Sequence, residues 1–211
     1  KYINANSSAI SGVITDGGKF KWDTEKYPGM KDFKKFGPFA YTAKLRNGLF
    51  RNTGACLSPQ NAFYNSIGME TLGLRMERVC DNAKTLAQFF ATEYSDIEVN
   101  YPGLAGSKWH NIATEQFGDK FGGIITIRTG NKKRAFGIID ALKLPLIVSN
   151  IGDTKTLVIH PESTLNVHST QEEKETAGVF DDLIRISVGI EDIDDLIDDF
   201  KQAIESVKDV Y

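Results

Sequence analysis

At 211 residues the chain has room for one or two domains and a real hydrophobic core, which argues against a disordered tail or a disulfide-stapled mini-protein. Its 41% apolar and 25% charged residues are ordinary for a globular chain, and 25 basic against 28 acidic side chains (net charge -3) make no electrostatic case for wrapping nucleic acid or an anionic membrane. Two cysteines, Cys56 and Cys80, are too few for a disulfide framework and lack zinc-site spacing, which suits a reducing, cytoplasmic setting. No apolar stretch approaches the roughly 18 residues of a membrane span, and the first residues carry no signal-peptide pattern.

In chain order, Lys1-Tyr2-Ile3 reads as the end of a strand, as though the chain opened in mid-fold. Gly12-Val13-Ile14-Thr15 predicts a strand and Asp16-Gly17-Gly18 a turn. The aromatic-rich stretch from Phe20 to Phe50 is broken by Pro28-Gly29 and Gly37-Pro38, and reads as a folded covering loop with a short helix over Phe39 to Leu49. Ser58-Pro59 offers a helix N-cap and first-turn proline. From there Phe63, Ile67, Leu72, Met76, Val79, Ala83, Leu86 and Phe90 recur at helical spacing. They predict one long helix of about 45 Å, bent near Gly68 or Gly73, that carries the domain boundary.

Further strands are predicted at Ile97 to Val99, Ile124 to Arg128, Leu146 to Ser149, Thr156 to His160 and Leu183 to Val188, with a helix over Ala135 to Leu142. In the last strand Ile184, Ile186 and Val188 share one face and Leu183, Arg185 and Ser187 the other. The closing helix carries Ile190, Ile193, Leu196, Ile197, Phe200, Ile204 and Val207 on one stripe, with Asp192, Asp195, Asp198 and Asp199 largely off it. Strands and helices without a strict βαβ rhythm indicate an α/β piece followed by a smaller α+β domain.

From residue types alone the chemistry is sparse. His110, His160 and His168 lack metal-ligand spacing and read as surface or hydrogen-bonded histidines. Neither cysteine has a neighbouring base, so both read as packing residues. Arg185 has two readings. It is a clamp for a carboxylate, or a surface arginine paired with Asp182 or Glu191, and spacing alone favours the pair.

Several segments together are more specific. Lys1-Tyr2-Ile3, Ser58-Pro59 with Gly68-Met69-Glu70-Thr71-Leu72, Leu74-Arg75-Met76-Glu77-Arg78, Tyr101-Pro102-Gly103-Leu104, Asn150-Ile151-Gly152-Asp153 with Thr156-Leu157, His160-Pro161, and Leu183 through Glu191 resemble, in order, the pyridoxal-phosphate enzymes of cysteine and methionine metabolism. The stretch from Gly12 to Phe20, with Trp22 after it, is similar to the O-acetylhomoserine sulfhydrylase branch. Methionine γ-lyase and cystathionine γ-synthase stay open, as does a non-catalytic scaffold or binding module on the same fold.

The resemblance implies an α/β fold. Residues 1–60 would be the C-terminal part of the large domain of a fold-type I enzyme, and 61–211 a smaller α+β C-terminal domain with an antiparallel sheet. It implies pyridoxal 5'-phosphate as cofactor, no metal, and γ-replacement of acetate on O-acetylhomoserine by sulfide or methanethiol, giving homocysteine or methionine. Lys1 matches the lysine that binds the cofactor as a Schiff base and shuttles protons, a task that needs a primary amine. Arg185 matches the residue that holds the substrate carboxylate, which reverses the odds given by spacing. Asn150 falls beside that carboxylate, or is a turn residue. Two positions depart from the family: Ala5-Asn6 stands where many relatives have glycine-histidine, and Leu165-Asn166 where a threonine-histidine pair is usual. The implied partners are an amino-acid substrate, a small sulfur donor, further copies in a tetramer, and an upstream segment of the same protein that grips the cofactor. Without that segment the chain is expected to be inactive.

Overall fold

The structure, a computed structural model, describes residues 1–208. The last three residues of the expected second domain lie outside them. The chain divides into two compact units, Ala9–Asn65, and Lys1–Ser8 together with the chain from Ser66 onward. Residues 1–8 therefore pack with the later unit.

In the 9–65 unit Gly12 to Thr15 forms no strand. Ile10, Val13 and Ile14 are exposed, and no described strand lies alongside to take up the main-chain hydrogen bonds. Asp16 does close a turn, its Oδ1 accepting from the Gly18 amide at 3.0 Å. The stretch expected to be a covering loop is largely helical. A 3-10 helix (Pro28–Phe39), kinked at Gly37, leads into α1 (Ala40–Lys44), a π-helical turn (Leu45–Phe50) and α2 (Arg51–Thr53), which ends at left-handed Gly54. The helix runs past Gly48 because the π-turn absorbs it. Trp22 organises this unit, stacking on Tyr41 at 5.8 Å and meeting Phe20 and Tyr27 edge-on.

The predicted long helix is two helices, α3 (Pro59–Glu70) and α4 (Leu72–Glu93), separated at Thr71. Ser58 caps α3 as its sequence predicts, its Oγ accepting from the Asn61 amide at 3.2 Å. The apolar stripe changes character along the pair: Phe63 and Ile67 are exposed, whereas Val79, Ala83, Leu86 and Phe90 are buried.

The later unit then adds β1 (Glu98–Asn100), α5 (His110–Phe117), β2 (Ile124–Arg128), α6 (Lys132–Ala141), β3 (Leu146–Ile147), β4 (Leu157–Ile159), α7 (Gln171–Thr176), β5 (Leu183–Ser187) and α8 (Ile193–Ser206). Helices α5 and α7 were not foreseen. Each is under nine residues, too short for a periodicity signal, although α7 carries a capping box between Thr170 and Glu173. The strands lie in the order β1-β2-β5-β4-β3, antiparallel except for the parallel β3-β4 pair.

Alternation on β2 and β5 decides the layers. Ile125, Ile127, Ile184, Ile186 and Val188 enter a core with α4, α6 and α8, where Phe90 meets Phe200 edge-on at 5.3 Å. Thr126, Arg128, Leu183, Arg185 and Ser187 occupy the opposite face. One acidic residue of α8 departs from the expected solvent stripe. Asp199 is buried, and its carboxylate accepts from the amides of Lys143 and Leu144 at the end of α6.

Gly189, just past β5, has no room for a side chain: a Cβ there would lie 2.4 Å from the Thr154 carbonyl oxygen and 2.6 Å from the Lys155 carbonyl carbon. Gly189→Ala should lower unfolding free energy by about 1–3 kcal/mol, as overpacking against main chain does, read as a lower urea midpoint at unchanged m-value. Glu162 receives both Lys132 and Lys174, and these ammonium groups hold its carboxyl down to about 2. A depressed carboxyl contributes stability above its unfolded pKa, and that stability is lost as pH falls toward 2. Glu162→Gln should therefore lower the melting temperature at pH 7, with the gap to wild type closing between about pH 4.5 and 2.

Candidate active site

Lys1, at which no strand forms, is exposed, and the residues after it are held on several sides. The Arg75 guanidinium donates to the Tyr2 carbonyl at 2.8 Å and the Ile3 carbonyl at 3.3 Å. The Thr154 amide donates to the Ala5 carbonyl at 2.9 Å. Ser7 Oγ donates to Asp153 at 2.9 Å and receives the side-chain amide of Asn150. Tyr2 lies against Gly152, whose φ of 74° favours glycine and where a Cβ would sit 3.1 Å from the Tyr2 amide nitrogen. Burial of Tyr2 pushes its phenol pKa up.

The segment that carries Lys1 thus lies along the loop 149–155, and that loop joins it to β5. The Gly152 amide donates to Ser187 Oγ at 3.0 Å, and Arg185 Nη2 donates to the carbonyls of Ser149 at 2.9 Å and Asn150 at 3.3 Å. The segment after Lys1 and the Arg185 side chain both bond this loop, which carries Asn150, within one compact unit.

The ion pairs that spacing alone favoured for Arg185 do not form. Asp182 accepts from Arg128 and from the Gly130 amide, both at 3.0 Å, while Glu191 is taken up by the Thr156 amide and hydroxyl. Among the described residues no carboxylate pairs with Arg185, and partial burial pulls its pKa down, since water solvates the cation less well there. The result is a half-buried guanidinium, oriented by two main-chain carbonyls and paired with no carboxylate among the described residues.

The other polar candidates have structural roles or none. His160 is buried between Ser163 Oγ at 2.9 Å and the Asp181 carbonyl at 2.7 Å, against the ring of Phe136. His110 bonds the Pro102 carbonyl at 2.9 Å, and His168 is exposed. Among the described residues no group of histidine, cysteine or acidic side chains could hold a metal ion. Cys80 is buried, which raises its thiol pKa, but Cys56 is exposed and does not pack as expected. Sequence reasoning missed Arg75 as part of this neighbourhood; nothing in Leu74-Arg75-Met76 separates a buried arginine from a surface one.

Fold and site together define a mixed α/β chain in which the segment that begins with Lys1 and the Arg185 guanidinium both bond the loop 149–155. The chain belongs to the Cys/Met metabolism PLP-dependent enzyme family, whose model matches residues 1–205. It is 36% identical over 97% of its length to a sulfhydrylase of Fusarium oxysporum f. sp. lycopersici, covering 50% of that protein. It is 38% identical over 98% of its length to an O-acetyl-L-homoserine sulfhydrylase of Corynebacterium glutamicum, covering 51%. Among solved structures it is similar, with a TM-score of 0.73 and 39% identity over 78% of this chain and 39% of the other, to a Campylobacter jejuni protein described as an O-acetylhomoserine (thiol)-lyase carrying a pyridoxyl-lysine monophosphate. The fold-type I class expected from the sequence accords with these structures. The chain spans about half the length of the curated relatives it matches.

Ala5, where the resemblance puts glycine, has a φ of 72°. Left-handed backbone costs a non-glycine residue about 1–2 kcal/mol, partly offset by glycine's greater unfolded-state entropy. Ala5→Gly should raise unfolding free energy by up to about 1 kcal/mol, measurable as a higher melting temperature.

Proposed function

We propose that this chain is the C-terminal part of a pyridoxal-phosphate enzyme that replaces the acetate of O-acetylhomoserine with a sulfur nucleophile, sulfide or methanethiol, giving homocysteine or methionine. The observation that carries it is the unneutralised Arg185 guanidinium, set by the Ser149 and Asn150 carbonyls beside the segment that begins with Lys1. The names of the relatives favour the sulfhydrylase over a γ-lyase, a cystathionine synthase or a scaffold.

The residues present fit the cofactor at two points. Lys1 offers a primary amine for covalent attachment to its aldehyde, and Arg185 a cation for the carboxylate of the amino acid that displaces that amine. When bound, pyridoxal phosphate supplies the electron sink for chemistry at the substrate's α- and β-carbons. Arg185, oriented by the two carbonyls that its Nη2 meets, would donate to the α-carboxylate and so orient the amino acid in the site. Lys1 Nζ, when free of the cofactor, would take a proton from the α-carbon and one from the β-carbon so that acetate can leave, and would give both back once sulfur has entered at the γ-carbon. Asn150, tethered through Ser7 to Asp153, holds the edge of the carboxylate site.

The half-length match supports a longer working protein in which the rest of the large domain precedes Lys1 and is completed by residues 1–60, with 61–211 as the C-terminal domain. We further assign that protein to the cytoplasm as a homotetramer; exposed Ile67, Met69 and Leu74 supply apolar surface for such assembly.

Purified full-length protein given O-acetylhomoserine and sulfide should form homocysteine and acetate. Lys1→Ala should remove both turnover and visible cofactor absorbance. Arg185→Lys should keep the absorbance and raise KM for the amino acid about 10- to 100-fold, the worth of an oriented charge-assisted hydrogen bond to the carboxylate. α-Ketobutyrate and ammonia as the main products would favour the γ-lyase, and a colourless full-length protein the scaffold.

A further inference from the structure

Arg75 is buried, 8% exposed, and lies in the first turn of α4. Every part of its guanidinium is engaged. Nε donates to Thr71 Oγ1 at 3.1 Å, Nη1 to the Tyr2 carbonyl at 2.8 Å, and Nη2 to the Gly68 carbonyl at 2.7 Å and the Ile3 carbonyl at 3.3 Å. Among the described residues no carboxylate meets it, so its charge is spent on main-chain oxygens. Two of these acceptors belong to the residues directly after Lys1. The other two contacts, Gly68 and Thr71, lie where α3 gives way to α4, so the guanidinium ties that break to the start of the chain.

Gly68 makes the approach possible, for a Cβ there would lie 2.2 Å from the Ile3 carbonyl oxygen and 2.7 Å from Asn4 Cα. A planar fork with fixed donor directions suits two successive carbonyls in a way a lysine ammonium does not. An arginine that served only helix stability would find its partners within α3 and α4. Here half of the grip crosses to a segment more than seventy residues away in sequence.

The geometry points to Arg75 as a positioning residue for Lys1. By holding the Tyr2 and Ile3 carbonyls against the break between α3 and α4, it sets the point and direction from which the Lys1 side chain enters the site. The inference rests on Lys1 being the cofactor-binding lysine, and deepens that reading. Its expected size follows from the sensitivity of positioned groups, for which a shift of about 1 Å costs on the order of 100-fold in rate.

The test uses full-length protein stripped of pyridoxal phosphate and then given it back. Arg75→Met should slow covalent uptake of the cofactor about 10- to 100-fold and move the pH midpoint of the visible absorbance band by at least about half a unit. KM for O-acetylhomoserine should stay within about threefold, because Arg185 is untouched. Arg75→Lys, which keeps the charge and is the milder change, should show the same effects at smaller size if Arg75→Met does not fold. Arg134→Met is the control. That largely buried arginine bonds the Thr129 carbonyl and Asp96, so its loss should lower the melting temperature and leave uptake and midpoint unchanged. Arg75 variants that melt early but load cofactor at the wild-type rate, with an unmoved midpoint, overturn the proposal while leaving the role of Lys1 standing. Covalent uptake that survives in Lys1→Ala overturns both.

Discussion

Two peptide carbonyls, those of Tyr2 and Ile3, accept hydrogen bonds from one buried guanidinium, and the candidate site hangs on that contact. The segment after Lys1 has no strand or helix of its own to define it. Its place comes from neighbours: Arg75 on α4, the Thr154 amide, and glycines at 68 and 152 that leave room for the chain to lie close. Charge-assisted bonds to main-chain oxygen are strong and directional. A segment held in this way can present a reactive amine at a defined spot without belonging to the sheet.

The strand β5 supplies the other half of the candidate site. Its apolar face is committed to the core through Ile184 and Ile186, so the opposite face, with Arg185 and Ser187, is fixed in height and direction. Ser187 holds the loop 149–155 through the Gly152 amide, and Arg185 holds the same loop through two carbonyls. The loop therefore relays the rigidity of the sheet to the Lys1 segment. Charge at Arg185 remains available because the acidic residues at either end of β5 are used elsewhere, Asp182 by Arg128 and Glu191 by Thr156. A site for an anionic group requires such an arrangement, since an arginine already neutralised gains little from a ligand carboxylate.

Long elements with a clear period were legible in the sequence. Alternation in β5 and β2, the apolar stripe of α8 and the Ser58 cap all appear where their residues say. What escaped was decided by neighbours. Gly12 to Thr15 has strand-like residues but no adjacent strand among those described. Leu72 to Phe90 follows Phe63 and Ile67 in period, yet the helix breaks at Thr71, where Arg75 takes the Thr71 hydroxyl and the Gly68 carbonyl. Asp199 looks like one more solvent acid on α8 until the end of α6 brings it two unpaired amides.

The sequence alone determined the family, and with it the residue types at Lys1, Asn150 and Arg185, because side-chain chemistry is written in the chain directly. It also determined which faces of β5 and α8 turn to the core, because burial follows the local period of apolar residues. Only the tertiary structure decided that Arg185 meets no carboxylate among the described residues, that Arg75 grips the segment after Lys1, and that this segment and Arg185 share the loop 149–155. Each of these depends on which distant carbonyl or carboxylate arrives within about 3 Å, and sequence separation carries no record of that distance.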